Sequence, residues 1–560
     1  MSLQLPVDAA AGKAENRERA ARRATRSPRQ KRGPADVDEA GPLGHLSSVD
    51  AAFLYLERKE IPLHMASVSI FDGPLPFDKF VASIERKLFL IPRYQQIAVL
   101  PPYNLGPPTW ESAPNFDIRQ HIFRVRLEPP GGEAQLEALA GRILSQLMDR
   151  RKPMWDMYVV DGLKDGRGAL IARMHHSLAD GVSGVAVLNQ LMLDPTPEGD
   201  GPIAKRRFRT PKVEAPEHSL TGAIGQAVQS TLENFIAAEE GLLGFARALT
   251  GGGEQEGRKG LLGLLPELAA SVERLPFNKP CGGERKFCWT EFNFADVQTI
   301  RKFAGGTVND VVLAVLTRAL ARYVKLHGES VANRFVRMVC PVSLRQGEQN
   351  GNLGNQISFL PVALPMDITD PVQMLKAVAT RTEIMKRGTA ADLVALIASW
   401  IAAAPPPLQA LFWWGIPQLR LPLPLFNMIC TNIPGSAVPL YAGGRRMIAN
   451  YPQVPTGYEL GVGCAVTSYD GKICCGLTAD AHAAPDVGRL RDFLNVSYRE
   501  LCRATGIKKA TRPKKTAQAK PSKAAEAAPA AAPERATETP PEPGPETPPA
   551  PIVMSTRDAA

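Results

Sequence analysis

The stretch "LIARMHHSLADGVSG" (residues 170–184) sets two adjacent histidines, His175 and His176, behind an apolar run and ahead of Asp180 and Gly181. The apolar residues before the pair read as a strand, and a strand end delivers side chains to a cleft. An imidazole with an ordinary pKa of about 6.5 accepts a hydroxyl proton at neutral pH, which makes His176 the candidate general base. Asp180, one turn further on, is placed either to orient the imidazole or to clamp an arginine and hold the loop's shape. Gly181 permits a backbone conformation, or a close approach, that a side chain would block. Neighbouring residues on an extended strand project to opposite faces, so no metal site is expected from the pair. A lone histidine on an apolar strand is ordinarily a packed, hydrogen-bonded core residue, and His64 and His121 are read that way.

Outward from the pair, "MWDMYVVDGLKDGRGALIARMHH" gives two strands joined by a Gly/Asp turn. Upstream, "MASVSIFDG" is a strand, while "FDKFVASIERKLF" and "EAQLEALAGRILSQLMD" are helices. Downstream, the pattern predicts a helix from Val308, strands in "RFVRMVCP" and "NQISFLPVALP", a hairpin turning at Asp470 and Gly471, and a last helix in "PDVGRLRDFLNVSYRELCRATG". Strand and helix alternate in both halves, which predicts two related α/β (α+β) domains around a cleft.

The chain has 560 residues, 44% of them apolar, which favours two folded domains with accessory segments. Residues 1–42 and 506–560 lack the aromatic and branched residues of a core and read as disordered tails, the first basic and the second rich in Lys, Pro and Ala. Between the tails we expect a domain over 43–195, a linker over 196–285 with an amphipathic stretch at 219–249, and a second domain over 286–505. The net charge of +10 gathers largely in flanking segments without interleaved aromatics, so nucleic acid is not an expected partner. Eight scattered cysteines without metal-ligand spacing, and no apolar leader, predict a reducing, cytoplasmic setting. No window reaches the roughly 20 apolar residues of a spanning helix. The closest, residues 393–426, is cut by Pro405, Pro406 and Pro407 and reads as buried core helices flanking a turn; a surface that touches lipid or lines an acyl tunnel is the other reading.

"HHSLADG" resembles the HHxxxDG signature of the acyl-CoA-dependent acyltransferases, and its surroundings resemble the bacterial wax ester synthase/diacylglycerol acyltransferase family. The likeness runs in order through "LSSVDAAFLYLE" (46–57), "PLHMASVSIFDG" (62–73), "RKPMWDMYVVDGL" (151–163), "TVNDVVLAV" (307–315), "CPVSLR" (340–345), "GNLGNQISFLPVALP" (351–365), "TNIPGS" (431–436) and "GLTADAHAAPD" (476–486). It implies two chloramphenicol-acetyltransferase-like domains with the active site in a channel between them. It also implies transfer of a fatty acyl group from acyl-CoA to the hydroxyl of diacylglycerol or of a long-chain alcohol. Acyl-CoA is then a substrate, no cofactor is needed, and peripheral contact with the inner face of a membrane or with lipid droplets is expected.

Residue by residue, the resemblance makes His176 the base, His175 its supporting neighbour, and Asp180 with Gly181 the structural end of the motif. It implies an arginine partner for Asp180, with Arg345 the candidate. Asn309 and Asp310 match an Asn-Asp motif, with Asn309 either an oxyanion donor or a helix cap. Pro153 and Trp155 are assigned to substrate binding from the family's Pro-Leu-Trp-Glu segment, in which Met154 and Asp156 depart from the usual Leu and Glu. Two alternatives stand beside this reading: a peptide-synthetase-like condensation enzyme, and a non-catalytic lipid-droplet binding protein of the same fold.

Overall fold

The computed structural model describes residues 44–178, 193–199, 272–343, 357–387, 401, 404–418, 424 and 426–507. Asp180, Gly181 and Arg345, the stretch 219–249 and the two expected tails, apart from residues 506 and 507, lie outside the described residues. The described residues all belong to one compact unit, built on two mixed six-stranded sheets.

In the first half, helix α1 (Ser48–Leu56) starts at Ser47, whose side chain accepts from the Asp50 N–H. Strand β1 (His64–Phe71), helix α2 (Phe77–Lys87), a small hairpin β2 (Gln96–Val99) and β3 (Thr109–Ser112), β4 (Ile122–Arg126), helix α3 (Glu133–Leu144), β5 (Trp155–Asp161) and β6 (Gly168–His175) follow. Every position of β6 is buried, as expected of a strand flanked by β1 and β5 and covered on both faces. The expected strands around the pair are therefore present, and His175 is the last strand residue.

The second half contains β7 (Arg285–Asn293), α4 (Phe294–Ala304), α5 (Val308–Leu326), β8 (Phe335–Ser343), β9 (Ile357–Pro365), α6 (Pro371–Arg387), α7 (Pro406–Gly415) and β10 (Met428–Ile433). After them come β11 (Tyr441–Ala442), β12 (Arg445–Gln453), β13 (Val462–Tyr469), β14 (Lys472–Asp480) and α8 (Val487–Ala504). Helix α5 is buried nearly all round and forms the spine of the second core. The β13–β14 hairpin turns where expected, with positive φ at both Asp470 (42°) and Gly471 (78°). That backbone twist matches the flanking strands.

The division into halves is crossed within the first sheet. The second sheet runs β7-β14-β13-β10-β8-β9, but the first runs β11-β12-β1-β6-β5-β4, so two strands from the second half complete it. Strand β12 pairs antiparallel with β1, Ala66 opposite Gln453 and Ile70 opposite Ala449. Glycine makes the join possible: a Cβ on Gly476 would lie 2.0 Å from the Pro452 carbonyl oxygen, and one on Gly141 of α3 would lie 2.6 Å from that of Arg285.

Candidate active site

Antiparallel pairing of β1 and β6 places His64 opposite His175, and β1 in turn lies beside β12. The histidine pair is thus one strand away from the second half's contribution. His175 is 0% exposed, whereas His176, the first residue beyond the strand, is half-buried. The chain turns here: the Leu178 N–H donates to the His175 carbonyl at 3.0 Å. His176 is fixed from two sides. Its N–H donates to the Leu63 carbonyl (2.9 Å), and its ring stacks on Phe53 of α1, with centroids 4.0 Å apart and planes 16° from parallel.

His175 is held by its ring. The Ser177 N–H points at Nδ1 (3.2 Å), with Ser177 Oγ 2.7 Å from the same nitrogen, while Nε2 stands 3.4 Å from Glu57 Oε1. A carboxylate facing Nε2 favours the proton there, leaving Nδ1 to accept from the backbone. Glu57, at the C-terminal end of α1, has a side chain only 1% exposed; it also accepts from the Leu63 N–H (3.1 Å) and from Arg150 Nη2 (3.0 Å). Burial alone would raise its pKa, but the His175 contact, the Arg150 charge and the Leu63 N–H outweigh it and bring the carboxyl down to about 2. His64 moves the other way from ionisation: burial first, then the Arg173 charge, push its pKa down to about 3, so it is neutral. The sequence reading placed His64 in the core correctly, yet no described residue hydrogen-bonds its Nδ1, unlike the bonded histidine expected. His121 does match: its Nδ1 lies 2.8 Å from the Trp155 carbonyl.

Pro153 and Trp155, assigned to substrate binding, stand in the packed interior. Both are buried; Trp155 is 1% exposed, donates its indole N–H to the Tyr94 carbonyl (2.8 Å) and stacks on Tyr94 and His121. The segment packs against the core of the first half. Its acid, Asp156, takes a two-pronged grip from Arg173 on the paired strand, at 2.7 and 2.9 Å, and the remaining Arg173 nitrogen donates to the Ile143 and Gln146 carbonyls. The shorter acid therefore still closes a buried ion pair.

The cap of α5 is Thr307, not Asn309. Asp310 N–H donates to Thr307 Oγ1 (3.2 Å), and the Asp310 carboxylate accepts from Thr307 N–H (2.7 Å) and from Thr382 Oγ1 of α6 (2.7 Å). Asp310 is thereby accounted for structurally, while among the described residues half-buried Asn309 takes a single long contact, 3.4 Å, from Asn432 Nδ2 of the "TNIPGS" strand end. Among the described residues no group of three His, Cys, Asp or Glu is arranged to hold a metal.

The sequence reading missed Glu57. One signal was available: an acid at a helix C-terminus opposes the helix dipole and calls for a cationic partner.

Two solved structures share this architecture. The wax ester synthase/diacylglycerol acyltransferase from Marinobacter aquaeolei VT8 superposes with a TM-score of 0.55 at 23% identity, over 82% of this chain and 100% of that one. A mutant starter condensation domain of rhizomide synthetase RzmA, solved in complex with C8-CoA, gives 0.51 at 13% identity over 82% and 96%. The fold class is thus that of the two-domain acyltransferases and condensation domains. Within it, the catalytic-domain model of the wax ester synthase/diacylglycerol acyltransferase family matches residues 46–312 and its C-terminal-domain model residues 353–502; the chain belongs to that family and is an acyltransferase. Similar proteins include the probable diacylglycerol O-acyltransferases tgs1 and tgs2 of Mycobacterium tuberculosis. They are 27% and 28% identical, over 84% and 82% of this chain and 98% of each relative.

Proposed function

We propose that the protein moves a fatty acyl group from acyl-CoA to the hydroxyl of diacylglycerol, or of a long-chain alcohol, with His176 as the general base. The observation that carries this is the arrangement at the end of β6: one imidazole, His176, half-buried and fixed by backbone and stacking, beside a second, His175, wholly buried. In the reaction His176 takes the hydroxyl proton as the oxygen attacks the thioester carbonyl. The C–O bond forms, the C–S bond breaks, and the imidazolium returns the proton to the departing thiolate. No acyl-enzyme is required and no cofactor is invoked. Asn309, relieved of capping, is a candidate donor to the developing oxyanion. The test offers purified protein palmitoyl-CoA with either dioleoylglycerol or hexadecanol and identifies the ester. Triacylglycerol or wax ester with stoichiometric free CoA supports the reading; no ester from either acceptor refutes it.

Both acceptors are insoluble, so the reading includes peripheral contact with lipid. Its support is α7, expected as a buried core helix and found otherwise. Leu408, Leu411, Phe412 and Trp414 are exposed on it, Leu411 by 61% and Trp414 by 57%, and it packs against α1 and the turn that carries Tyr103, itself 85% exposed. This apolar corner abuts the helix that stacks on His176. Aromatic and aliphatic side chains in such a patch suit the headgroup–acyl boundary. No single described helix is long and apolar enough to cross a membrane.

A further inference from the structure

We propose that Glu57 is the positioning residue of the histidine pair: its carboxylate holds the His175 ring directly and His176 through the Leu63 backbone, and it stabilises the positive charge His176 carries in mid-transfer. The inference rests on the reading of His176 as base.

Three connections converge on this one side chain. Oε1 faces His175 Nε2 at 3.4 Å. The same oxygen accepts the Leu63 N–H at 3.1 Å, and the carbonyl of Leu63 accepts the His176 N–H at 2.9 Å. Oε2 takes Arg150 Nη2, which also donates to the Leu54 carbonyl and so ties the carboxylate back to its own helix. The helix that ends at Glu57 also carries Phe53, the residue stacked on His176. A carboxylate here therefore fixes both rings and the helix over them at once. It differs from the Asp156 carboxylate nearby, both oxygens of which are gripped by one arginine, Arg173.

The charged surroundings set the sign of the electrostatic effect. Around Glu57 stand Arg150, His175 at the end of β6, and His64 of β1, which itself feels Arg173 and Arg285; His176 follows His175 directly in the chain, and Arg58 points away, donating to the Trp414 carbonyl of α7. With its carboxyl ionised throughout the working range, Glu57 is the negative charge of this cluster, and it favours an imidazolium. The proton stays on the His176 ring between uptake and return; Glu57 does not exchange it.

The test follows CoA release by the full chain, with palmitoyl-CoA and dioleoylglycerol, from pH 5 to 9, for the parent, Glu57→Gln, Arg150→Gln and His176→Ala. The amide oxygen introduced by Glu57→Gln can still accept the Leu63 N–H, so a rate lost through charge is separable from one lost through shape. The expected result is a kcat about 10-fold or more below the parent for Glu57→Gln, with KM for palmitoyl-CoA within about twofold. The acidic limb of its profile moves down by about half a pH unit or more, whereas Arg150→Gln, which removes the opposing charge, moves it up. A limb that stays in place in both folded variants, or parental turnover by Glu57→Gln, overturns the proposal. If Glu57→Gln fails to fold by circular dichroism, Arg150→Gln alone decides by the direction of its shift. Parental turnover by His176→Ala would instead remove the base itself, a failure distinct from that of Glu57.

Discussion

Arg173 and Asp156 bury their charges against each other on adjacent strands, so removing one strands the other. Asp156→Ala is expected to cost about 3–5 kcal/mol of stability, read from denaturant unfolding, because Arg173 remains charged and buried. A loss under about 1 kcal/mol would show the pair to be replaceable by water. His64 makes a pH prediction. Its folded pKa of about 3 lies below its unfolded value, so the unfolded chain binds the extra proton, and stability rises with pH between about 3 and 6.5. Lowering pH from 6.5 to 5 should cost the parent about 1.6 kcal/mol more than His64→Asn, in chemical denaturation at both pH values. Equal losses would mean His64 is not kept neutral. These residues also mark how far sequence reaches at this scale. The pair at 175–176 was legible because rare residue types coincide at fixed spacing, while His64 and Glu57 matter through register and helix docking, which no local pattern encodes.

Helix α5 separates capping from chemistry. Thr307→Ala should lower stability by about 1 kcal/mol, the usual cost of a lost cap, whereas Asn309→Ala should change it by less than about 0.5 kcal/mol and lower acyl transfer. The reverse order in thermal melts would restore Asn309 to the capping role. Helix α7 is the element on which the lipid reading turns. Full-length Leu411→Asp/Trp414→Asp should fold normally, since both side chains are exposed, yet co-float poorly with phosphatidylcholine vesicles; the parent should float even in 1 M salt, where charge attraction is screened within about 3 Å. Unchanged flotation by the variant would acquit α7. Elements with a periodic pattern and a clear stop were readable: α5 begins at Val308 as expected, and the Asp470–Gly471 hairpin turns on backbone angles those residues favour. The exposure of α7 was not, because an apolar segment interrupted by prolines reads the same whether a core or a lipid surface covers it.

Across the whole molecule, the two-domain α/β organisation followed from the alternation of strands and helices, and the architecture matches it. The loan of β11 and β12 to the first sheet could not be read: Ala66 and Gln453 pair across nearly the length of the folded chain, and nothing local to either names its partner. That loan brings second-half backbone to within one strand of the histidines and holds the halves together around them. The proposed chemistry of the whole assembly turns on proton transfer by His176 in this setting. Steady-state CoA release by His176→Ala beside the parent, with melting curves for both, tests it most directly. The expected outcome is a folded variant slower by at least about 10²-fold; a folded variant that transfers acyl groups at near-parental rate would rule His176 out as the base.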